Sequence, residues 1–64
     1  MIVNGKEMNF KEGITVIELL NEINVEKDKV VVEVDFQIID KNEYSKKKLS
    51  TASKVELIRF VGGG

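Results

Sequence analysis

Two short apolar segments at the N-terminus, "MIV" and "MNF", are separated by Asn4-Gly5 and two charged residues. Asn-Gly between such segments indicates a hairpin, because both residues tolerate the positive φ angles of a type I′ turn. The pattern predicts strands over about residues 1–4 and 6–10. Gly13 then marks a loop before the next element.

The segment "TVIELLNEI" has the apolar spacing of a helix. The apolar residues fall at i, i+3, i+4 and i+7 and form one stripe: Val16, Leu19, Leu20 and Ile23. Thr15 and Glu18 form a capping box, in which each side chain satisfies a free amide at the start of the helix. The pattern predicts a helix of two to three turns that packs on a sheet through this stripe and leaves Glu18 and Glu22 in water.

Strand-like segments dominate the second half of the chain. "KVVVEV" is rich in β-branched residues and places Val30, Val32 and Val34 on one face, as in an interior strand covered on one side. "FQIID" predicts a shorter strand. "KNEYSKKKL" predicts a polar connection with one helical turn, held in place by Tyr44 and Leu49.

The last strand-like segment, "KVELIRFV", carries large apolar residues on both faces. Val55 and Leu57 lie on one face, and Ile58 and Phe60 lie on the other. A sheet with a helix on one side buries only one face, so Ile58 and Phe60, or else Leu57, are expected at a surface that binds a partner. The alternative is that a loop from elsewhere covers them.

The order of the elements predicts an α+β fold of the β-grasp type. We expect a mixed sheet of four to five strands with one main helix packed on one face, and with the first and last strands paired in parallel at the centre. Residues 1–61 would form this single domain, and residues 62–64 a flexible C-terminal glycine tail.

Composition excludes several classes of function. The 64 residues contain no cysteine and no histidine, which removes thiolate metal sites, cysteine nucleophiles and imidazole bases. A net charge of -1 argues against nucleic-acid binding. No segment approaches the ~20 apolar residues of a membrane span, and the N-terminus lacks a secretory signal. We expect a cytoplasmic protein that binds no membrane.

Charged residues suggest sites of their own, but each has a simpler interpretation. Lys46, Lys47 and Lys48 lack interleaved aromatic residues and are typical of a solvated loop. The glutamates at helical spacing are typical of a wet helix face, and the remaining acidic residues are too scattered for a metal cage. The sequence therefore predicts a protein that is not itself an enzyme.

The three glycines Gly62, Gly63 and Gly64 end the chain directly after the last strand. A frayed end is one interpretation. In the other interpretation, the tail presents the α-carboxylate of Gly64 as a reactive group. Glycines suit this role because residues without Cβ atoms can enter a narrow channel. The four residues from Val61 onward can span roughly 13 Å. Activation by ATP to an acyl-adenylate would open this carboxylate to attack by sulfur or an amine.

These features together resemble a known family, the sulfur-carrier proteins of thiamine biosynthesis (the ThiS family). The resemblance runs through the "VNG" hairpin, the "GITVIELL" loop and helix, the valine strand and the terminal "RFVGGG". It implies the ubiquitin-like form of the β-grasp fold. The sequence departs from the family pattern at four places. Asp35-Phe36 replaces a frequent Asn-Gly, and Asp40 replaces a common proline. "STASK" stands where an Asp-Gly-Asp-like turn is usual, and Tyr44 where tryptophan is common.

The resemblance also implies a reaction cycle. An E1-like adenylyltransferase (ThiF type) would activate Gly64 with ATP, sulfur from a cysteine desulfurase would form a thiocarboxylate, and thiazole synthase (ThiG type) would take the sulfur. No cofactor would be bound to the chain. Gly62 and Gly63 would give access, and Ile58, Phe60 and Val61 would contact partners. The alternatives are a carrier for molybdopterin or another pathway, a ubiquitin-like protein modifier, and a β-grasp interaction module whose glycines are incidental.

Overall fold

The computed structural model describes residues 1–59, and within this part the chain forms five strands and one α-helix. In chain order these elements are β1 (Ile2–Val3), β2 (Lys6–Glu7), α1 (Val16–Glu22), β3 (Val30–Val34), β4 (Gln37–Ile39) and β5 (Lys54–Arg59). Single 3₁₀ turns at Lys27–Lys29 and Lys41–Glu43 precede β3 and follow β4. The second of these confirms the helical turn expected in the polar connection.

The five strands form one mixed sheet in the order β2-β1-β5-β3-β4. At its centre β5 pairs in parallel with β1 and antiparallel with β3. The predicted β-grasp topology is confirmed, including the parallel pairing of the first and last strands. The last strand therefore has neighbours on both of its edges.

The first hairpin turns at Asn4 and Gly5, whose φ angles of 52° and 79° are both positive, as a type I′ turn requires. The predicted extent of its strands was too long. β1 covers Ile2–Val3 and β2 covers Lys6–Glu7, rather than residues 1–4 and 6–10. After one further bond, from the Met8 N–H to the Met1 carbonyl at 2.9 Å, the chain leaves the sheet. The alternating Met8 and Phe10 pack against the core from outside the sheet.

The helix begins at the predicted capping box. The Glu18 N–H donates to Thr15 Oγ1 at 3.2 Å, and the Thr15 N–H donates to Glu18 Oε1 at 2.9 Å. Of the predicted stripe, Val16, Leu19 and Leu20 are fully buried, whereas Ile23 is the C-terminal cap and is partly exposed.

The core lies between α1 and the sheet face that carries the alternating valines. Its fully buried side chains come from the helix, from β3 and β5, and from the connection before β5: Val16, Leu19, Leu20, Val30, Val32, Leu49 and Val55. Burial of each such side chain contributes about 1.5–3 kcal/mol. Tyr44 is buried as well and its hydroxyl donates to the Val30 carbonyl at 3.4 Å. The predicted roles of Tyr44 and Leu49 in holding the connection are confirmed.

Candidate functional site

The sheet has one face against α1 and one face without it. Val55 is buried in the core, so its strand neighbours Lys54, Glu56 and Ile58 point to the other side. Direct pairing between strands assigns the remaining residues of that side. We call it the open face, and it consists of Ile2, Glu7, Val31, Glu33, Ile38, Lys54, Glu56 and Ile58.

Large apolar side chains of the open face are in contact with solvent. Ile58 is 50% exposed and Ile38 is 67% exposed. Leu57, on the opposite face of β5, packs against the core. Of the two alternatives for the last strand, the exposure of Ile58 is therefore confirmed. An apolar surface of this kind is typical of a protein that binds a partner.

The remaining predicted site residues lie outside the described part of the chain. They are Phe60, Val61, Gly62, Gly63 and Gly64. Their assigned roles stay predictions, as does the division between a domain at residues 1–61 and a tail. The last described residue, Arg59, pairs with Val30 at the first residue of β3.

Two carboxylates lie side by side at the centre of the open face. Glu33 on β3 is directly opposite Glu56 on β5, a position in which Cβ atoms are about 4.5–5.5 Å apart. Within residues 1–59 neither carboxylate has a cationic group within 4.0 Å. The ion pairs there join the Met1 amino group to Glu7 and Lys41 to Asp28. Like charges in directly opposed positions destabilise a sheet.

The second hairpin has an unusual turn. Val34 pairs with Gln37, so Asp35 and Phe36 form a two-residue loop, and their φ angles of 50° and 70° are both positive. This backbone resembles that of the Asn4-Gly5 turn, but it is built without glycine. A positive φ is rare for a bulky residue such as phenylalanine.

Backbone and side-chain bonds attach this turn to β5. The Lys54 N–H donates to Asp35 Oδ1 at 3.0 Å, and the Asp35 N–H donates to the Lys54 carbonyl at 2.8 Å. The Phe36 side chain is 77% exposed, with Lys54 Nζ at 4.9 Å from the centre of its ring. The turn therefore holds an aromatic ring in water at one end of the open face.

One feature of the sequence points to this turn: Asp35-Phe36 is a departure from the family pattern, in which Asn-Gly is frequent. The predicted strand "FQIID" was too long, because Phe36 lies in the turn and β4 covers only Gln37–Ile39. The opposition of Glu33 and Glu56 had no such signal, because it depends on the register between strands that are far apart in the chain.

The two carboxylates with shifted pKa values have local structural partners. The Thr15 backbone N–H lowers the pKa of Glu18 by hydrogen bonding to its charged form. The hydrogen bond from Lys41 lowers the pKa of Asp28. Both carboxylates are at the surface, so these shifts reflect a helix cap and a surface ion pair rather than acid–base catalysis.

Other charged positions form no constellation in the described part of the chain. Lys46, Lys47 and Lys48 are exposed in the connection before β5, which confirms the expected solvated loop. Across residues 1–59 the side chains capable of binding metal form no group of three or more. No helix in that range has the length and apolar character needed to cross a bilayer.

Comparison with known proteins identifies the wider group to which these features belong. The model of the ThiS family matches residues 1–64. The sulfur carrier protein ThiS of Bacillus subtilis is 35% identical over 63 residues, covering 97% of this chain and 96% of that protein. The thiazole synthase of Paramagnetospirillum magneticum is 38% identical over 64 residues, but the chain spans only 20% of its length.

A solved structure agrees with the fold. The crystal structure of the thiamine biosynthesis protein ThiS from Geobacter metallireducens superposes with a TM-score of 0.82 at 29% identity, covering 98% of this chain and 96% of that one. The fold is therefore the ubiquitin-like β-grasp. Together the similarities support a sulfur-carrier function in thiamine biosynthesis, and the chemical steps at Gly64 stay predictions.

Proposed function

The chain belongs to the ThiS family, and from this premise we propose that it carries sulfur as a thiocarboxylate on Gly64 for thiazole formation. The observation that carries the proposal is the match of the family model over residues 1–64, which includes the terminal Gly-Gly-Gly. In this role the chain is a protein co-substrate of other enzymes.

The chemistry starts from the poor reactivity of a carboxylate. A carboxylate oxygen of Gly64 attacks the α-phosphate of ATP on an E1-like adenylyltransferase, and pyrophosphate leaves. The resulting acyl-adenylate is electrophilic at its carbonyl carbon. The terminal sulfur of a persulfide, which a desulfurase forms from cysteine, displaces AMP and gives an acyl disulfide. A thiol reductant then cleaves the sulfur–sulfur bond, is itself oxidised to a disulfide, and leaves the thiocarboxylate on Gly64. ATP is consumed by the enzyme and is not a resident cofactor of this chain.

Thiazole synthase is the proposed acceptor of the sulfur. The segment of the Paramagnetospirillum magneticum protein that resembles this chain is part of a longer protein named thiazole synthase. Two modules in one chain meet at high effective concentration, as a donor and its acceptor require. This similarity supports the same pairing between separate chains.

The exposed end of the last strand supports the mode of binding. Ile58 is half-exposed on β5, and the three glycines follow this strand closely in the sequence. We propose that Ile58, Phe60 and Val61 contact the activating enzyme while Gly62 and Gly63 let the carboxylate of Gly64 reach the adenylation site. The small glycines suit a narrow passage, since they carry no Cβ atom.

Intact-protein mass spectrometry tests the proposal. The chain is incubated with a cognate adenylyltransferase, ATP and a sulfur donor. We expect a mass gain equal to the exchange of one oxygen for sulfur, located at Gly64 by fragmentation. The control is the variant that lacks Gly63 and Gly64, which should fold normally and gain nothing. An unchanged mass with ATP unconsumed would contradict the proposal, and an isopeptide conjugate to lysine would show a protein modifier instead.

A further inference from the structure

We propose that Asn4-Gly5 is a modification site at which the folded chain converts slowly to an isoaspartyl form, and that contact of the first hairpin with β5 controls the rate. Asn4 and Gly5 are both exposed at the tip of the hairpin. The co-reactant is water, and the group released is ammonia. The inference does not depend on sulfur carriage, because no step of it involves Gly64.

The chemistry belongs to the Asn-Gly dipeptide itself. The backbone nitrogen of Gly5 loses its proton and attacks Cγ of Asn4, the side-chain amide leaves as ammonia, and a five-membered succinimide forms. Water then opens the ring. Cleavage of the bond from the nitrogen to Cγ gives aspartate, whereas cleavage of the bond to the main-chain carbonyl carbon gives isoaspartate, whose main chain runs through Cγ. Glycine favours the attack because no Cβ atom crowds its nitrogen.

The native turn keeps the two reacting atoms apart. The φ angles of Asn4 and Gly5 are 52° and 79°, and in a type I′ turn ψ of the first central residue is about 30°. This ψ places the Gly5 nitrogen nearly opposite Cβ of Asn4 about the Cα–C bond, whereas ring closure requires both on the same side. The turn must therefore open before the reaction occurs.

Two hydrogen bonds to β5 oppose this opening. The Asn4 N–H donates to the Val55 carbonyl at 2.9 Å, and the Leu57 N–H donates to Asn4 Oδ1 at 2.7 Å. The backbone pairing of β1 with β5 ends at Val3 and Val55, so the Asn4 side chain supplies the next acceptor along β5. The reactive amide is thus also the group that holds the tip of the hairpin on the central strand.

Opening of the tip does not require the chain to unfold. The strand that follows it, β2, contains two exposed residues and lies at the edge of the sheet. Val3, directly before the tip, is buried and keeps β1 in the core. Segments with few buried contacts open locally at a lower free energy than global unfolding. Slow conversion of the folded chain follows from such openings.

The two products differ in their effect on β5. Aspartate keeps a side-chain oxygen where the Leu57 N–H donates, and its charge strengthens that bond. Isoaspartate adds a carbon atom to the main chain, which lengthens the two-residue turn and displaces the acceptor. In the isoaspartyl form the Leu57 N–H therefore loses its partner, and β5 is released along this edge beyond Val55.

The first experiment follows the full-length chain during prolonged incubation in mildly alkaline buffer, folded and in concentrated urea. Peptide mapping by mass spectrometry detects the exchange of NH₂ for OH at Asn4. Methylation by an isoaspartyl-specific carboxyl methyltransferase measures the isoaspartyl fraction. Asn24 is the internal control, because it is also exposed and has a φ of 59° but is followed by valine.

The second experiment measures hydrogen exchange of the Leu57 amide by NMR. The isoaspartyl form, separated by chromatography, is compared with the parent chain and with two variants. Asn4→Asp keeps the side-chain acceptor, and Asn4→Gly removes it while suiting the positive φ. The thermal unfolding midpoint of each form is recorded to show that it is folded.

We expect Asn4 to convert roughly tenfold or more slowly in the folded chain than in urea, since two hydrogen bonds hold the turn. Asn24 should remain unmodified in the folded chain. Exchange of the Leu57 amide should be roughly fivefold faster in the isoaspartyl form and in Asn4→Gly than in the parent. Exchange in Asn4→Asp should be no faster than in the parent.

Three outcomes would overturn the proposal. No conversion of Asn4 in the folded chain, at a time when the urea sample is largely converted, would remove the modification site. Equal rates in the two samples would remove the control by the hairpin. Unchanged exchange of the Leu57 amide in the isoaspartyl form would contradict the release of β5. None of these results bears on thiocarboxylate formation, which is measured separately.

Discussion

The two faces of β5 differ sharply although their residues alternate along one six-residue strand. On the core face Val55 is fully buried and Leu57 packs beside it. On the open face Glu56 lies opposite another glutamate, and Ile58 is half-exposed. The core face buries its apolar side chains, which stabilises the sheet. The open face exposes a large apolar side chain and places two like charges opposite each other, and both features are unfavourable. We infer that the core face maintains the fold while the open face is shaped for binding.

Leu20→Ala, on the helix that covers the core face, is expected to change the free energy of unfolding more than any other substitution considered. Leu20 is fully buried beneath the sheet, so its truncation should lower the free energy of unfolding by about 2–5 kcal/mol. Urea denaturation measures the change. Ile58→Ala is the control on the open face and should shift the same quantity by less than about 0.5 kcal/mol. Equal losses for the two variants would mean that the open face is also part of the core.

A smaller effect is expected from Thr15→Ala at the start of the helix that covers the core face. The variant loses the Thr15 hydroxyl that accepts from the Glu18 N–H, and the free energy of unfolding should fall by about 1 kcal/mol. Thr15→Ser keeps the acceptor and should retain most of the stability. Thermal unfolding compares the three proteins, and an alanine variant as stable as the parent would show that the cap is not needed.

An effect of opposite sign is expected on the open face. Glu56→Gln relieves the repulsion from Glu33, so the free energy of unfolding should rise by about 0.2–1 kcal/mol. Glu22→Gln on α1 is the control and should change little. The gain should shrink as salt is added, since the repulsion is screened. A loss of stability would contradict the expected repulsion between the two carboxylates.

The smallest effect concerns pH at the helix cap. Because the folded state lowers the pKa of Glu18, the stabilisation is present above the ordinary value of 4.5 and is lost as pH falls through the folded value. Unfolding midpoints from about pH 6 to about pH 3 should therefore decrease less steeply for Glu18→Gln than for the parent chain. Identical slopes would exclude Glu18 as a contributor.

Local and periodic features of the sequence were sufficient for most of the fold. The Asn4-Gly5 turn, the capping box at Thr15 and the alternating valines of β3 are each specified within a few residues. The strand after the first turn was predicted too long, because Met8 and Phe10 alternate as strand residues do but pack on the core from outside the sheet.

The candidate site was predictable only where one strand defines it. The alternation of β5 placed Ile58 and Leu57 on opposite faces, and the burial of Val55 and the exposure of Ile58 in the structure decided between them. The opposition of Glu33 and Glu56 depends on the register of β3 against β5, which short-range patterns do not specify. Phe36 was recognised as unusual, but its ring position depends on the contacts of the turn with Lys54.

The central place of β5 has a mechanical consequence. The strand is hydrogen-bonded to β1 on one edge and to β3 on the other. A pull on Arg59 along the strand axis loads these bonds together in shear rather than opening them one at a time. An enzyme that draws the chain beyond Arg59 into a channel therefore pulls against the whole sheet, and force spectroscopy with a handle at Arg59 measures that resistance.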